Sequence, residues 1–403
     1  MNASRTDSFD VAVVGTGAAG LACALSLARA GVSTALVGAH GAPPDGRTVA
    51  LLDGSVRFLK ALGVWEAIAP HAAPLAELHI VDDSGSLFRP PPARFEAGEI
   101  GLDAFGWNVE SARLVALLRE AARAASNLHL AECDAAGMRP AEGDAELVLS
   151  DGRRLNARLI VGADGGRSPL RTAAGIPVKE WSYPQGAVTT LLAHEQPHRD
   201  VSTEFHTRQG PFTLVPLPGG YRSSLVWVTG EAAARRLAEL DDAALAQAVE
   251  RQAQGFLGGM RVDGPRGLVP MRGLSVATSV AKRLALIGEA AHVFPPIGAQ
   301  GLNLGLRDGA CLRDAVTRAL RDGRDPGSGA VLSAFARSRR RDAALRGTAV
   351  DLLNRSLLAD LAPVDALRGA GLLAMTAIGP LRRAVMREGV LPRLDAPELM
   401  RAP

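Results

Sequence analysis

Asp10 to Val37 reads DVAVVGTGAAGLACALSLARAGVSTALV. Its first five residues are a short β-branched run, the pattern of a buried strand. Gly15, Gly17 and Gly20 follow as GTGAAG. LACALSLARAG then has helical spacing and stops at Gly31. VSTALV reads as a second strand. Strand, tight turn, helix and strand within one short stretch is the context that a dinucleotide fingerprint requires. Gly15 permits the turn, Gly17 lets the backbone approach a pyrophosphate, and Gly20 lets helix pack on strand. The helix then offers free N–H groups and a partial positive charge to the phosphates. Val11 to Ala28 is uncharged and 18 residues long, enough to raise a membrane span. Its glycines argue for the turn instead.

One part of the fingerprint is missing. An acid normally ends the second strand and holds the adenosine ribose, but here LVGAH puts Gly38 at that place. Loss of a charged hydrogen bond of ~1.5–3 kcal/mol weakens a cofactor about 10- to 100-fold. Backbone groups or Asp45 are the alternatives that would offset it. Gly46-Arg47-Thr48 then opens a segment, VALLDGSVRFLKALGVW, read as helix-like. Arg47 is either a solvated first-turn residue or a phosphate or flavin contact.

The 403 residues are 47% hydrophobic, enough for a large core, and the length suggests two or three domains. Lys and Arg number 45 against 42 acids, too balanced to argue for nucleic acid. Cys23, Cys133 and Cys311 are widely separated and form no CxxC pair, which favours a reducing compartment. MNASRTDSFD has no apolar core and is not a secretory signal. These features point to the cytoplasm.

Further along, Leu75 to Phe95 is strand-like, broken by DDSGS and PPP. Ser111 to Ala125 is an amphipathic helix with Arg113 in its first turn. Leu155 to Val161 is a strand feeding GADGGRSPLRTAAGI, with Asp164 at its end and a basic helix from about Arg167. Asp164 is either a plain helix cap or a cofactor-side acid. Between Pro177 and Met271 short β-branched runs alternate with turns, and Pro218-Gly219-Gly220 marks a hairpin. EAAARRLAEL and DDAALAQAVERQAQGFL read as two short helices.

His194 to His198 spells HEQPH, which matches the HExxH zinc pattern. That chemistry needs both histidines on one helical face, and Pro197 disfavours helix there by ~3 kcal/mol. A polar loop is the better reading, and no metal site is expected. In the tail, LIGEAAHVFPPIGAQGLNLG (Leu286–Gly305) runs from strand to helix through an acid, two prolines and several glycines. A long helical region follows with Arg337, Arg339, Arg340 and Arg341, read as a solvated face. Gly371 to Leu381 is too short to span a bilayer, though a basic, apolar helix there suits a membrane surface as well as core or oligomer packing.

Three motifs thus stand in order: GTGAAG, GADG, and GEAAHVFPPIGAQGLNLGLRDG. Together they resemble the FAD-dependent aromatic monooxygenases of the para-hydroxybenzoate hydroxylase type. DGRTVALLDGSVRFLKALGVW, FTLVPLPGGYRSSLVWV and PPIGAQGLNLGLRDG are most similar to the ubiquinone-biosynthesis ring hydroxylases within that type. The resemblance runs from about Phe9 to the 390s.

It implies an α/β, two-domain (α+β) fold. A Rossmann-like FAD-binding domain with a parallel sheet (1–74, 96–176 and 272–345) would interleave with a substrate domain on an antiparallel sheet (75–95 and 177–271). A helical C-terminal region (346–403) would follow. Gly15, Gly17 and Gly20 would cradle the FAD pyrophosphate, with Arg47 and Arg113 contacting FAD. Asp164 would lie near the phosphates and serve NAD(P)H use. Gly288 and Glu289 would meet the ribityl side, where the wider family has Asp. Pro295, Pro296 and Gly298 would flank the flavin ring, followed by Gly301, Leu302 and Asn303.

The implied activity is hydroxylation of a (poly)prenylated phenol or quinone precursor in ubiquinone biosynthesis. It would proceed through a flavin C4a-hydroperoxide, with O2 and a transient NAD(P)H as reductant. The membrane's inner face and a biosynthetic complex are the implied partners, and nucleic acid is not. No protein side chain is singled out as catalytic, and His292 is read as a packing or hydrogen-bonding residue. With aromatics at 4% and only Tyr183 and Tyr221 as tyrosines, the cofactor would carry the chemistry. The alternatives are a flavoprotein of other chemistry (epoxidase, halogenase or prenyl-lipid reductase) and a flavin-free lipid-binding relative.

Overall fold

The computed structural model describes residues 7–39, 46–85, 91–295, 298–358, 371, 373–375, 377–390 and 396–401. Asp45 and Pro296 lie outside them, as do 359–370 and 391–395 of the C-terminal stretch.

Eight strands build the first sheet: Val280–Ala281, Ala145–Leu149 and Ala135–Pro140 join antiparallel, and five are parallel, in the order Leu284–Leu286, Arg154–Gly162, Asp7–Val14, Thr34–Val37 and Leu128–Ala131. Their inner residues, such as Val11 to Val14 and Leu159 to Val161, are buried. That is why they read as unbroken apolar runs: helices and loops cover both faces of a parallel sheet. Helix α1 (Ala18–Arg29) is buried through Leu21–Ala28.

A three-stranded sheet of Thr48–Leu52, Gly106–Glu110 and Ala72–Pro74 lies beside it. Here the helix-like reading of the segment from Gly46 is corrected. Thr48–Leu52 pairs antiparallel with Gly106–Glu110, and helix α2 begins only at Asp53 (Asp53–Ala61). A short apolar run has no periodicity that separates strand from helix, so the distant partner strand decides. Helix α3 (Ser111–Ala124) follows as expected. The basic helix after GADG is the single short turn α4 (Pro169–Ala173).

The second sheet orders His292–Val293, Gly267–Val276, Val178–His194, Arg222–Gly230, Gly210–Leu217, Val201–Thr207, Glu77–Asp82 and Ala93–Glu96. Its pairs are antiparallel except Val201–Thr207 with Glu77–Asp82. Strand Val178–His194 breaks register with its neighbour between Ser182 and Gly186, where Pro184 cannot donate to the ladder. Helices α5 (Glu231–Glu239) and α6 (Asp242–Gln252) follow; Leu245 and Val249 of α6 pack on Leu192, Phe205 and Leu225.

His194 ends a strand rather than lying on a helix. Its ring bonds to Gln196 O and Ser223 Oγ, and His198 bonds to Leu217 O. Both rings are thus absorbed by the turn. Helix α7 (Gln300–Arg321) packs along α1. Helix α8 (Gly329–Leu358) lies against α7, and α9 (Gly379–Val390) closes the described chain before its last turn.

Candidate functional site

The register of the first sheet brings the three motifs to one edge. Val14 pairs with Gly162, and Gly162 pairs with Leu286. Three adjacent parallel strands therefore end at the same level, and each is followed by one motif. The crevice beyond the carboxyl ends of such strands is where open α/β sheets bind ligands.

The first loop is built from contacts that exclude side chains. Gly15 has φ +120°, and a Cβ there would overlap the carbonyl oxygen of Ala163. Ala163 cannot retreat, because its N–H donates to Val14 O at 2.7 Å. Gly20 is pressed against Gly15 O in the same way. Gly17 is different: a Cβ there would meet nothing. It is the N-cap of α1, and no side chain caps that end. The cradle therefore has a closed floor and an open mouth with free N–H groups, which fits the pyrophosphate of FAD.

At the end of the second strand, Gly38 has a local reason. A Cβ there would come 2.9 Å from Thr16 Cγ2 and 3.2 Å from Thr16 N. Thr16, inside the glycine loop, turns its hydroxyl to Ala39 O at 2.7 Å. Arg119 of α3 approaches that hydroxyl at 3.5 Å. Asp134 Oδ1 accepts from Ala39 N at 3.3 Å, so an acid from beyond the neighbouring strand reaches this place; on the same segment Glu132 stands one residue beyond Ala131, the register partner of Val37. Glu132 pairs with Arg123 at 2.5 Å.

The third motif begins with Gly288 at φ +59°, where a Cβ would stand 3.4 Å from Ala19 Cβ of α1. Gly305 and Gly309, one turn apart on α7, meet Gly288 and Cys23 respectively. These small residues let α1, α7 and the Gly288 turn close up. Glu289 is thereby held next to the turn that touches α1, with its side chain exposed. Farther on, Gly298 (φ +65°) and Ala299 (φ +55°) are both left-handed, and no side chain caps α7. A non-glycine residue in that conformation is uncommon, and such strain clusters at ligand sites. Gly301, like Gly17, faces open space.

Behind the Gly288 turn lies a buried polar cluster that the sequence did not reveal. Asp308 of α7 is 2% exposed, His292 6% and Arg339 4%. Asp308 Oδ2 accepts from Gly288 N at 3.0 Å and bonds His292 Nε2 at 2.6 Å. Its Oδ1 accepts from Arg339 Nε at 2.7 Å. Arg339 also donates to Asp342, which pairs with Arg307. Burial alone would push the Asp308 carboxyl up. The charges and hydrogen bonds of His292 and Arg339 outweigh it and hold the group at about 2. Arg339 is thus a correction to the solvated-face reading of its arginine run, while Arg337, Arg340 and Arg341 are exposed.

The remaining expected residues differ in what their side chains do. Arg47 is exposed, and its carbonyl accepts from Ser111 N at 3.0 Å, which joins it to the start of α3. Arg113, in that first turn, donates to His71 Nε2 at 2.8 Å. Asp164 Oδ2 accepts from Leu170 N at 3.1 Å in the first turn of α4, whose N-cap is Ser168; its Oδ1 is buried with no partner among the described residues. Asn303 is fully engaged. It accepts from Leu52 N and Ser55 Oγ and donates to Ala50 O and Ala299 O. It bolts α7 to the strand after Arg47. Leu302 packs on the main core. Pro295 is buried, and Pro296 lies outside the described residues.

The thiols are not prepared for nucleophilic work. Burial pushes Cys23 up to about 12 and Cys311 up to about 11, and Cys133 is raised too, first by burial and then by Asp151. Among the described residues no group of three or more His, Cys, Asp or Glu side chains could hold a metal.

The comparisons with known proteins agree with this geometry. The family described as "FAD binding domain" matches residues 8–344. A relative named ubiquinone hydroxylase UbiL from Rhodospirillum rubrum is 34% identical over 94% of this chain and 89% of its own length. The 3-demethoxyubiquinol 3-hydroxylase of Escherichia coli is 30% identical over 94% and 97%. Among solved structures, p-nitrophenol 4-monooxygenase PnpA from Pseudomonas putida superposes with a TM-score of 0.78 at 19% identity, covering 96% of this chain and all of that one. At that identity it speaks for the fold alone. The chain belongs to the FAD-binding domain family, as an FAD-dependent aromatic monooxygenase related to ubiquinone biosynthesis.

Proposed function

We propose that this chain hydroxylates the aromatic ring of a (poly)prenylated phenol or quinone precursor on the route to ubiquinone, with NAD(P)H as transient reductant. The observation that carries the reading is the row of three motifs on one sheet edge, in a chain that matches ring hydroxylases of that pathway over 94% of its length. Bound FAD supplies the activation of O2 and the transfer of one oxygen atom.

The protein's own residues hold and shield. Gly15, Gly17 and Gly20 cradle the pyrophosphate, aided by the open end of α1. Arg47 and Arg113 add positive charge at the start of α3, and Asp164 stands near the phosphates. Gly288 sets Glu289 against the ribityl chain. Pro295, Gly298 and Gly301 let the backbone pass close to the ring, and the uncapped end of α7 stabilises negative charge there. Asn303 fixes that end in place. The second sheet covers the ring and keeps water away. Glu289→Ala should weaken FAD about 10- to 100-fold in a fluorescence titration. Unchanged affinity would remove Glu289 from this role.

The lipophilic substrate brings a membrane surface into the proposal. No helix among the described residues is long and apolar enough to cross a membrane. Ile378, Leu381 and Val385 are 49%, 42% and 46% exposed at helical spacing on or beside α9, near Arg383 and Arg387. Arg382 pairs with Glu99 at 2.6 Å, and Met386 and Val390 pack with Phe95 and Phe105. The helix is thus anchored to the body on one side and apolar on the other. A basic, apolar face of this kind binds anionic lipid. Ile378→Asp/Val385→Asp should abolish flotation with anionic vesicles; equal flotation would end that part of the proposal.

The enzyme itself is tested with FAD-loaded protein, NADH or NADPH, a prenylated phenol and 18O2. One labelled oxygen in the product is the expected result. Flavin binding without labelled product would overturn the ring hydroxylation.

A further inference from the structure

A cavity of about 550 Å3 lies behind the third motif. Its walls come from the first half of strand Val178–His194, the turn after strand Gly267–Val276, Phe294, and one face of α8. None of Gly15, Gly17, Gly20, Arg47 or Glu289 lines it. The volume is in the range that holds a small organic ligand.

Two features of the lining specify chemistry. Trp181, Val276, Leu286, Phe294 and Ala336 give it an apolar wall. Lys179, Arg337 and Arg340 stand at its edge, exposed, and none of the three pairs with an acid among the described residues. The acid in the lining, Asp308, is buried and already committed to His292 and Arg339. An edge of unpaired cations over an apolar wall is complementary to an anion carried on an apolar body.

We propose that this cavity is a second ligand site, separate from the cofactor crevice, that takes a small amphipathic anion such as a carboxylate on an aliphatic or aromatic body. The anionic group lies against Arg337 and Arg340, and the body lies on Trp181 and Phe294. The ion cluster of Asp308, His292 and Arg339 forms the inner wall and keeps that face of α8 fixed.

The test uses the full chain loaded with FAD, so that the cofactor crevice is filled, and decanoate as the probe. Isothermal titration should give saturable binding to one site, with the flavin absorbance spectrum unchanged. Arg337→Ala/Arg340→Ala should weaken it about tenfold. Ala336→Trp keeps every charge but fills the hollow, and should abolish binding. Circular dichroism of both variants confirms that they are folded. Inorganic phosphate, which has the charge without the apolar body, should bind at least tenfold more weakly than decanoate. Equal affinity for phosphate, binding that survives both variants, displacement of FAD by decanoate, or no saturable heat at millimolar decanoate would each overturn the proposal.

Discussion

Asp308→Ala is expected to cost the fold roughly 3–5 kcal/mol, seen as a lower midpoint in urea unfolding. The size follows from what is left behind. Arg339 is 4% exposed and loses the carboxylate that accepts its Nε at 2.7 Å. Gly288 N loses its acceptor, and His292 loses the partner of its Nε2. Removing both sides of the pair is a different matter. Asp308→Leu/Arg339→Met leaves no unpaired buried charge from this pair and should cost less than either single change. If the double variant is as unstable as the sum of the singles, the two residues do not act as a pair.

The same cluster gives a sign for pH. The Asp308 carboxyl sits at about 2 in the folded chain, below its ordinary value of 3.8. A depressed carboxyl stabilises above the unfolded value, and that stability is lost as pH falls through the folded one. The stabilisation is therefore complete above about pH 4 and fades towards about pH 2, by roughly 2 kcal/mol. In Asp308→Leu/Arg339→Met the acid side of the stability profile should be correspondingly flatter.

How much of this was legible beforehand depends on the distance over which each feature is specified. The glycine loops were readable because their spacing is local. Gly15, Gly17 and Gly20 lie within six residues, and the strand and helix that give them meaning are adjacent. Glu289 was readable as the first polar residue after a strand. Arg339 was not, because its partner Asp308 lies 31 residues away on another helix. A run of four arginines within five positions looks alike whether or not one of them turns inward. Thr48–Leu52 failed for the same reason, since its partner strand Gly106–Glu110 is remote. Gly38 was visible as a departure, but its cause was not. The Thr16 methyl stands where the Cβ of an acid would go, and that is a contact between two loops rather than a pattern in one.

The second large effect is expected at the phosphate loop, and it separates two glycines that the fingerprint treats alike. Gly15→Ala should yield a protein that is both less stable and nearly free of flavin. Its φ of +120° costs an L-residue of order 1–3 kcal/mol, and the new methyl would overlap Ala163 O. That carbonyl belongs to the GADG loop, whose Ala163 N is bound to Val14 O, so relief requires separating two adjacent strand ends. Overpacking of that kind adds about 1–3 kcal/mol. Gly17→Ala should behave differently. Gly17 has φ −72°, and its added methyl meets no protein atom within 4 Å. The variant should unfold like the parent, yet the methyl projects into the mouth of the cradle, where a pyrophosphate must approach the N–H groups of α1. An FAD dissociation constant raised about tenfold or more, at unchanged unfolding midpoint, is the expected outcome. A Gly17→Ala protein that holds FAD as tightly as the parent would mean that the phosphates do not enter here. The resemblance of GTGAAG to a dinucleotide turn would then describe helix packing alone, and the cofactor would have to be held chiefly by the third motif.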